Sequence, residues 1–335
     1  MTQYRILSLD GGPANATYLR FLREIEIERP GFLARTELFA GTSDGTIASI
    51  YMASRPPSEQ GLTTLLNTIS LSNKIYLTMQ AGLCGLMRLF GGVLSMDFNS
   101  NLKKILSDYF GPNTLLGDLQ KKVCLVSYRV KQPTGPKIFH NYGTDPDIYS
   151  NAVNVALCSA AFPVLLPLRQ GHVDGAIFAN NPSMCALTEV ISQKALLPDV
   201  DSPNDITIFS LGGDDKRIGT FFDQYLFQRI ENLPWGWIPW LLNPFSPLTV
   251  FNLLINSNNK GVSFQCEQLL EDRFLRLAIL AGTEIDGLLR VVFNRSQEAI
   301  DIAEKTAIYW RTHPTSTVIR PNFKETIDWV DQKWM

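Results

Sequence analysis

One serine in the chain stands in a setting that could make it a nucleophile. Ser43 is the third residue of the pentapeptide G-T-S-D-G, which runs from Gly41 to Gly45. An apolar run precedes this pentapeptide and a helix-like stretch, 46–52, follows it, which is the strand–turn–helix setting of a nucleophile elbow. The serine oxygen would then project at a helix N-terminus, where partial positive charge favours a developing anion. The pentapeptide alone is equally compatible with a solvent-facing turn serine, so its context must decide.

An attacking serine needs a base, and the chain offers a carboxylate more readily than a histidine. Asp174 opens the motif D-G-A at the end of a short predicted strand, where Gly175 allows the chain to turn sharply. His140 and His313 lie in ordinary contexts, whereas His172 would share a strand face with Asp174. The Asp-Gly pair is also typical of ordinary turns, and on this motif alone both interpretations stay open.

A glycine-rich loop could supply the donors for an oxyanion. Gly11 and Gly12 follow Asp10 at the end of the first predicted strand and precede a predicted helix. Bare glycine amides in this position can point at an anion. A dinucleotide-binding loop is excluded because the pattern G-x-G-x-x-G is absent.

The composition limits the classes of function. The 335 residues are 45% hydrophobic and 19% charged, with a formal net charge of -2, so we expect a globular protein without a nucleic-acid partner. The five cysteines and three histidines are scattered without metal-binding spacing, so the sequence predicts no metal and no cofactor. The polar N-terminus runs straight into a strand, which predicts no signal peptide and a cytoplasmic location. The charge-free stretches 148–168 and 233–256 contain prolines and are not predicted to span a membrane.

Strands and helices alternate along the first part of the chain, which predicts an α/β fold with a mainly parallel central sheet and right-handed crossovers. The predicted strands are Tyr4–Leu9, Glu37–Ala40, Val123–Val130, Ile138–Tyr142, His172–Ala176 with its turn, and Ile206–Leu211. The predicted helices are Thr17–Ile27, Thr46–Ser54, most of Gly61–Phe110, Ile148–Ser159, Ser183–Lys194, Phe221–Ile230, Val262–Leu270 and Gln297–Arg311. Without a linker-like composition shift, we expect a single domain over 1–335, with its core at about 4–215 and a mainly helical part at about 216–335.

Three motifs in a fixed order resemble those of the patatin-like phospholipases, the family that also includes the catalytic domains of cytosolic phospholipase A2. That family carries D-G-G-G-x-R-G, G-x-S-x-G and D-G-[GA], and the corresponding residues here are 10–16, 41–45 and 174–176. Further similar segments are Ala160-Ala161-Phe162-Pro163, Asn180-Asn181-Pro182 and Ser210-Leu211-Gly212-Gly213. The resemblance covers roughly residues 4–310. Several motifs in the correct order carry more weight than any one of them.

The resemblance implies a three-layer α/β/α fold and a lipid acyl hydrolase that needs no metal. Ser43 would attack an ester bond of a glycerophospholipid or lysophospholipid, and Asp174 would accept its proton, with an acyl-enzyme intermediate. Partial burial would raise the pKa of such an aspartate toward working pH. A lipid substrate also implies that the protein can act at the periphery of a membrane.

The glycine loop departs from the family's pattern at two important positions. Pro13 stands where the family has a third glycine, and Asn15 where it has arginine or lysine. Proline has no N–H, and losing one oxyanion donor can cost about 10²–10³ in rate. We favour the interpretation that Pro13 lies in the first helical turn, where a missing N–H is harmless. The hole would then rest on Gly11 and Gly12, with the Asp44 N–H as a further donor.

Two other classes of function stay open. A catalytically impaired lipid-binding or scaffold protein of the same fold would explain Pro13 and Asn15, although a decayed site has little reason to retain both Ser43 and Asp174. An acyl-transfer enzyme of another kind would share the elbow but normally uses a histidine, and no histidine here is well placed.

Two apolar segments could approach lipid. A proline-punctuated stretch carries Trp235, Trp237 and Trp240, and tryptophan favours the membrane–water interface. A glycine-loosened stretch at 81–96 could form a mobile lid. Each has a plainer interpretation, as a core-packing loop and a buried helical hairpin respectively, and both pairs of alternatives stay open.

Overall fold

The structure is a computed structural model that describes residues 3–12, 15–55, 58–66, 98–163, 166–197, 200–214, 249–280 and 296–335. Four features of the sequence lie outside these residues. They are Pro13, the glycine-loosened stretch at 81–96, the predicted helix Phe221–Ile230 and the tryptophan-rich stretch around Trp237.

A mainly parallel sheet forms the centre of the described structure. Its strands are β1 (Tyr4–Leu9), β2 (Leu38–Thr42), β3 (Lys122–Arg129), β4 (Gly135–His140), β5 (His172–Asp174), β6 (Ile206–Asp214) and β7 (Phe274–Leu280). The strand order is β4-β3-β2-β1-β6-β7, and β5 pairs with β3. The β2–β3, β1–β2, β1–β6 and β6–β7 pairs are parallel, whereas β4 and β5 run antiparallel to β3. This arrangement confirms the predicted fold class.

Helices cover both faces of the sheet. They are α1 (Asn15–Glu28), α2 (Asp44–Ala53), α3 (Phe98–Phe110), α4 (Ala152–Ser159), α5 (Ala176–Ala179), α6 (Ser183–Ser192), α7 (Thr249–Leu270), α8 (Ser296–Thr312) and α9 (Phe323–Lys333). Among the described residues, no helix combines the length and the apolar character that crossing a bilayer requires.

The apolar run of β1 explains why the fold has three layers. Successive side chains of a strand point to opposite faces, and Ile6 and Leu7 are both fully buried. Leu7 belongs to a core cluster that includes Phe21 of α1 and Trp310 of α8. Ile6 belongs to a second cluster, which includes Leu187 of α6. One helix layer therefore packs on each face of the sheet.

Some predicted boundaries need correction. The apolar stretch Ile148–Ser159 is not one helix, because a short 3-10 turn at Pro146–Tyr149 is followed by a separate helix, α4. Asn151 begins that helix, since its side chain accepts a hydrogen bond from the Asn154 N–H at 3.1 Å. The helix predicted from Val262 begins earlier, at Thr249.

Two elements near the C-terminus were absent from the prediction, namely β7 and α9. Strand β7 extends the sheet beyond β6, and its sequence F-L-R-L-A-I-L places an arginine inside an otherwise apolar run. After α9, Trp334 is fully buried and stacks on Phe32 with ring centroids 4.7 Å apart. The end of the chain therefore completes the core around the sheet.

Candidate active site

Ser43 lies in a sharp turn between β2, which ends at Thr42, and α2, which begins at Asp44. Its backbone has φ 55° and ψ −120°, a strained conformation for a residue with a side chain. A Cβ atom on Gly45 would lie 2.2 Å from the Leu9 carbonyl oxygen, so this turn packs directly against the end of β1. A Cβ atom on Gly41 would lie 2.4 Å from the Gly45 carbonyl oxygen. The flanking glycines are therefore required by close backbone approach.

Asp174 faces Ser43 from the end of β5. Strand β5 pairs with β3, with Asp174 directly opposite Ser127. The Ser43 hydroxyl donates to Asp174 Oδ2 at 2.6 Å, and the Ala176 N–H donates to Asp174 Oδ1 at 2.7 Å. Gly175, which lies between Asp174 and Ala176 in the chain, donates its N–H to the Ser159 carbonyl at 3.2 Å. The fold thus joins two residues that lie far apart in the sequence.

The surroundings of Asp174 change its acidity. The side chain is fully buried, and this desolvation raises the pKa of Asp174 from 3.8 to about 7. Hydrogen bonds from Ser43 and Ala176 lower the pKa, and the negative charge of Asp44 raises it. Near neutral pH this carboxyl is therefore able both to accept and to release a proton.

Ser159 connects the elbow to the aspartate turn, a role that the sequence did not reveal. Its hydroxyl accepts the Ser43 N–H at 2.9 Å and donates to the Val126 carbonyl of β3 at 2.6 Å. The Thr46 hydroxyl lies 2.7 Å from the Ser159 hydroxyl oxygen. The fully buried Ser159 therefore fixes the backbone of Ser43 relative to the neighbouring strand.

The glycine loop lies beside the serine. A Cβ atom on Gly11 would lie 2.9 Å from Ser43 Cβ, which shows how closely the loop approaches. The Gly11 N–H donates to the Asn180 carbonyl at 3.1 Å, and this bond argues against Gly11 as a free oxyanion donor. Gly12 has φ +107°, a conformation that favours glycine. Of the predicted donors Gly11, Gly12 and the Asp44 N–H, the last two stay candidates, with Asp44 at the start of α2.

Asparagines of α7 brace the segment that follows Asp174. The Asn258 side chain accepts the Asn180 N–H at 3.2 Å and donates to the Phe178 carbonyl at 3.0 Å. Asn259 accepts from the Asn180 side-chain amide at 3.1 Å. The motif N-N-P at 180–182 pointed to Asn180, but only the fold shows that α7 holds it.

Each of the three histidines makes contacts with residues other than Ser43. His172 Nδ1 lies 3.3 Å from the Ser127 hydroxyl, and the His172 ring packs against Phe139. His313 stacks on Tyr309. His140 has a third environment, in which its Nε2 lies 3.7 Å from an Asp145 oxygen. The hydrogen-bond partner of the Ser43 hydroxyl in the structure is a carboxylate.

One group of described side chains could in principle hold a metal ion. His140, Asp145 and Asp147 place their ligand atoms within 4.8 Å of one another. Lys137 Nζ lies 2.6 Å from Asp147 Oδ2, so an ammonium group already compensates one of these carboxylates. His140 is the last residue of β4 and pairs with Cys124 of β3, and the two aspartates follow it in the chain.

The sheet and the site together define a class of α/β protein in which a carboxylate contacts a serine at a strand–turn–helix elbow. The sequence pattern of the family described as patatin-like phospholipase matches residues 7–187, more than half of the chain. The chain therefore belongs to the patatin-like phospholipase family, as its motifs predict. Membership supports lipid hydrolysis as the general class of activity.

Individual proteins show similarity at lower levels of identity. Protein teg from Priestia megaterium is 27% identical over 295 residues, which cover 83% of this chain and 88% of that protein. A cGAMP-activated phospholipase from Escherichia coli is 27% identical over 240 residues, 64% of each chain. A solved structure of full-length SpcU with full-length ExoU from Pseudomonas aeruginosa matches with 14% identity and a TM-score of 0.34, covering 99% of this chain and 68% of the matched one. The similarity to Protein teg is longer than the span that matches the family.

Proposed function

We propose that this protein is a lipid acyl hydrolase that cleaves ester bonds of glycerophospholipids or lysophospholipids with a Ser43–Asp174 dyad. The observation that carries the proposal is the 2.6 Å hydrogen bond from the Ser43 hydroxyl to Asp174 Oδ2. A serine hydroxyl is a weak nucleophile unless a base removes its proton. A buried carboxyl whose pKa is raised to about 7 is suited to that task at neutral pH.

The proposed reaction has two steps. Ser43 Oγ attacks the ester carbonyl carbon while its proton passes to Asp174, and the negative charge on the carbonyl oxygen is stabilised by the Gly12 and Asp44 amides. The bond to the leaving alcohol then breaks, and Asp174 returns the proton to the alcohol oxygen. A water molecule attacks the acyl-enzyme, gives one proton to Asp174 and releases the fatty acid. Asp174 finally returns that proton to Ser43.

The substrate is proposed from the family, because lipid hydrolysis is the activity that membership supports. A phospholipid substrate is presented by a membrane or a micelle, so we propose that the protein acts at a lipid surface without spanning it. The dyad uses only side chains of the chain itself, and the proposal requires no metal and no cofactor.

A second candidate function is a lipid-binding or scaffold protein with impaired catalysis. Two observations favour it. Pro13 has no N–H to donate, and the Gly11 N–H is occupied by the Asn180 carbonyl. Both reduce the number of donors that can stabilise an oxyanion.

Hydrolysis of a fluorogenic short-chain ester and of phosphatidylcholine vesicles distinguishes the two candidates. We expect the wild type to hydrolyse both, and we expect Ser43→Ala and Asp174→Asn to lose activity while an exposed control, Asp328→Asn on α9, retains it. Equal activity in all four proteins would reject the dyad. Vesicle binding by the wild type without any hydrolysis would favour the scaffold.

A further inference from the structure

The carboxylate at the start of the glycine loop has no positive partner within the loop itself. Asp10 begins the segment D-G-G-P-A-N-A, at 10–16, which contains neither lysine nor arginine. Its side chain is fully buried. A buried carboxylate is costly unless it is paired and hydrogen-bonded. The source of the compensating charge must therefore lie elsewhere in the fold.

The partner of Asp10 comes from the far side of β6. Arg276 lies in β7 opposite Ser210 of β6, and Ser210 in turn lies opposite Ser8 of β1. The guanidinium makes a two-point contact with Asp10, from Nη1 to Oδ1 at 3.1 Å and from Nη2 to Oδ2 at 2.6 Å. Nη1 also donates to the Ser210 hydroxyl at 2.7 Å. Such a planar contact is specific to arginine.

The sequence of β6 leaves room for this contact. A Cβ atom on Gly212 would lie 2.0 Å from Asp10 Oδ2 and 2.7 Å from Arg276 Nη2. Any larger residue at 212 would therefore displace the ion pair. Only 9% of the Arg276 side chain and none of the Asp10 side chain is exposed, so water screens the pair very little.

The backbone of Asp10 also makes hydrogen bonds, and the residue that follows it lies close to Ser43. The Asp10 N–H donates to the Leu211 carbonyl at 3.0 Å, and the Asp10 carbonyl accepts from the Tyr18 hydroxyl at 2.6 Å. The next residue, Gly11, approaches Ser43 Cβ closely. The ion pair therefore lies two residues away from Gly12, whose amide is the proposed oxyanion donor.

We infer that Arg276 is a positioning residue for the reaction, which holds Asp10 and so fixes the adjoining loop, where Gly11 approaches Ser43 and Gly12 is a proposed oxyanion donor. This inference rests on the proposed function. A loop of glycines has many accessible conformations, and an oxyanion donor is effective only when it is fixed in advance. Arg276 supplies that fixed point from a strand that does not itself reach the serine.

Arg276 also acts on the acidity of Asp10. On balance burial raises the pKa of Asp10, and the charge and hydrogen bonds of Arg276 offset only part of that rise. Without Arg276, the carboxyl would either take up a proton or remain as an uncompensated buried charge next to the site. In either case the two-point contact that orients the loop is absent.

Kinetics of Arg276→Gln and Arg276→Lys test the inference. The matched control is Arg273→Gln, because Arg273 lies three residues earlier, is directed to the Pro203 carbonyl, and has an exposed contact there. Active sites are titrated with a fluorophosphonate, so that kcat refers only to folded, reactive protein. We expect kcat for a soluble ester to fall on the order of 10²-fold in Arg276→Gln with little change in KM. Binding of a boronic acid, which forms a tetrahedral adduct, should weaken in proportion.

We expect a smaller fall in Arg276→Lys, which keeps the charge but loses the planar contact. Arg273→Gln should match the wild type. A merely structural role for Arg276 would lower the titrated fraction and leave kcat per titrated site unchanged, and that result would overturn the inference.

Amide hydrogen exchange tests the same inference without catalysis. We expect amides at 10–12 to exchange at least about tenfold faster in Arg276→Gln than in the wild type, with peptides from α9 as the internal reference. Unchanged exchange at 10–12 would contradict the inference that Arg276 holds the loop, whatever the activity. If the wild type hydrolyses no ester and reacts with no fluorophosphonate, the proposed function fails, and the exchange result still decides whether Arg276 holds the loop.

Discussion

The two buried aspartates beside the elbow, Asp174 and Asp10, differ in the partner that each one meets. Both side chains are fully inaccessible to solvent, and both lie at the end of a strand. Asp10 contacts the guanidinium of Arg276 at two points. Asp174 instead accepts hydrogen bonds from the Ser43 hydroxyl and the Ala176 N–H. Equal burial therefore leads to two different chemical environments.

The difference shows what a chemical role requires of a buried acid. Among the described residues, no cation acts on the pKa of Asp174, and desolvation raises that pKa to about 7. In the proposed reaction this carboxyl exchanges a proton in every cycle. Burial also raises the pKa of Asp10, but Arg276 offsets part of that rise and contacts both carboxylate oxygens, so Asp10 is suited to holding the loop.

The largest expected effect of separating the two roles is on activity. Asp174→Asn removes the proposed base without changing the size of the side chain, so kcat should fall by about 10²–10⁴. Ester hydrolysis per folded molecule is the measurement, with near-ultraviolet circular dichroism to confirm the fold. Activity of Asp174→Asn within a few-fold of the wild type would show that another group takes the serine proton.

Asp10→Asn should lower stability in addition to the fall in kcat expected when the contact with Arg276 is broken. It leaves the Arg276 guanidinium buried without its anion, and breaking a buried pair in this way costs about 3–5 kcal/mol. Urea unfolding measures the loss, and Asp328→Asn, in an exposed pair with Lys324, serves as the control. A free energy of unfolding equal to that of the wild type would mean that the ion pair does not clamp the loop.

Asp174→Asn should stabilise the fold at high pH. The carboxyl has a pKa of about 7 in the folded protein and an ordinary value of 3.8, so the folded state holds the proton more tightly. Wild-type stability from this group is therefore fully present below about pH 4 and is lost as the pH rises toward 7. Asp174→Asn has no such pH-dependent loss, so near pH 8 its free energy of unfolding should gain up to about 4 kcal/mol relative to the wild type, compared with low pH.

The comparison of unfolding free energies for Asp174→Asn and the wild type at about pH 4 and pH 8 measures this effect. The difference between the two proteins should grow in favour of the variant as the pH rises. A difference that is independent of pH would contradict the raised pKa of Asp174.

Ser159→Ala should have a moderate effect. It removes the acceptor of the Ser43 N–H and the donor to the Val126 carbonyl, both of them buried, at a cost of about 1–3 kcal/mol. Activity per folded molecule should also fall, because the elbow loses a support. Ser192→Ala, which removes an exposed hydroxyl on α6, is the control and should change neither quantity.

The smallest effect should come from Asp44. Its negative charge raises the pKa of Asp174, so Asp44→Asn should move the midpoint of the pH–rate profile to lower pH. The shift measures the interaction between the two carboxylates directly. A midpoint that moves upward would mean that the substitution rearranges the elbow.

The sequence was most informative where local geometry demands particular residue types. The elbow needs glycines on both sides of Ser43, and the alternation of strands and helices predicts a mainly parallel sheet, so both could be read along the chain. Family motifs then indicated Asp174. Its role as the base stays a prediction, although the fold brings its carboxylate to the serine.

The contacts between distant segments could not be predicted in the same way. Ser159 is one small residue in an apolar helix, and the neighbouring sequence does not indicate its hydrogen bond with the Ser43 N–H. Arg276 lies in a strand that the pattern did not reveal, and its partner is 266 positions away. The bond from the Gly11 N–H to the Asn180 carbonyl likewise depends on how two loops meet.

The pH dependence of kcat/KM for a soluble ester tests the central claim most directly, because it reports the base of the free enzyme. The account predicts a rate that rises with pH through a midpoint near the pKa of about 7 assigned to Asp174, as its carboxyl ionises. A profile that is flat across this range, or that has its midpoint near the ordinary aspartate value of 3.8, would contradict the claim that a buried Asp174 activates Ser43.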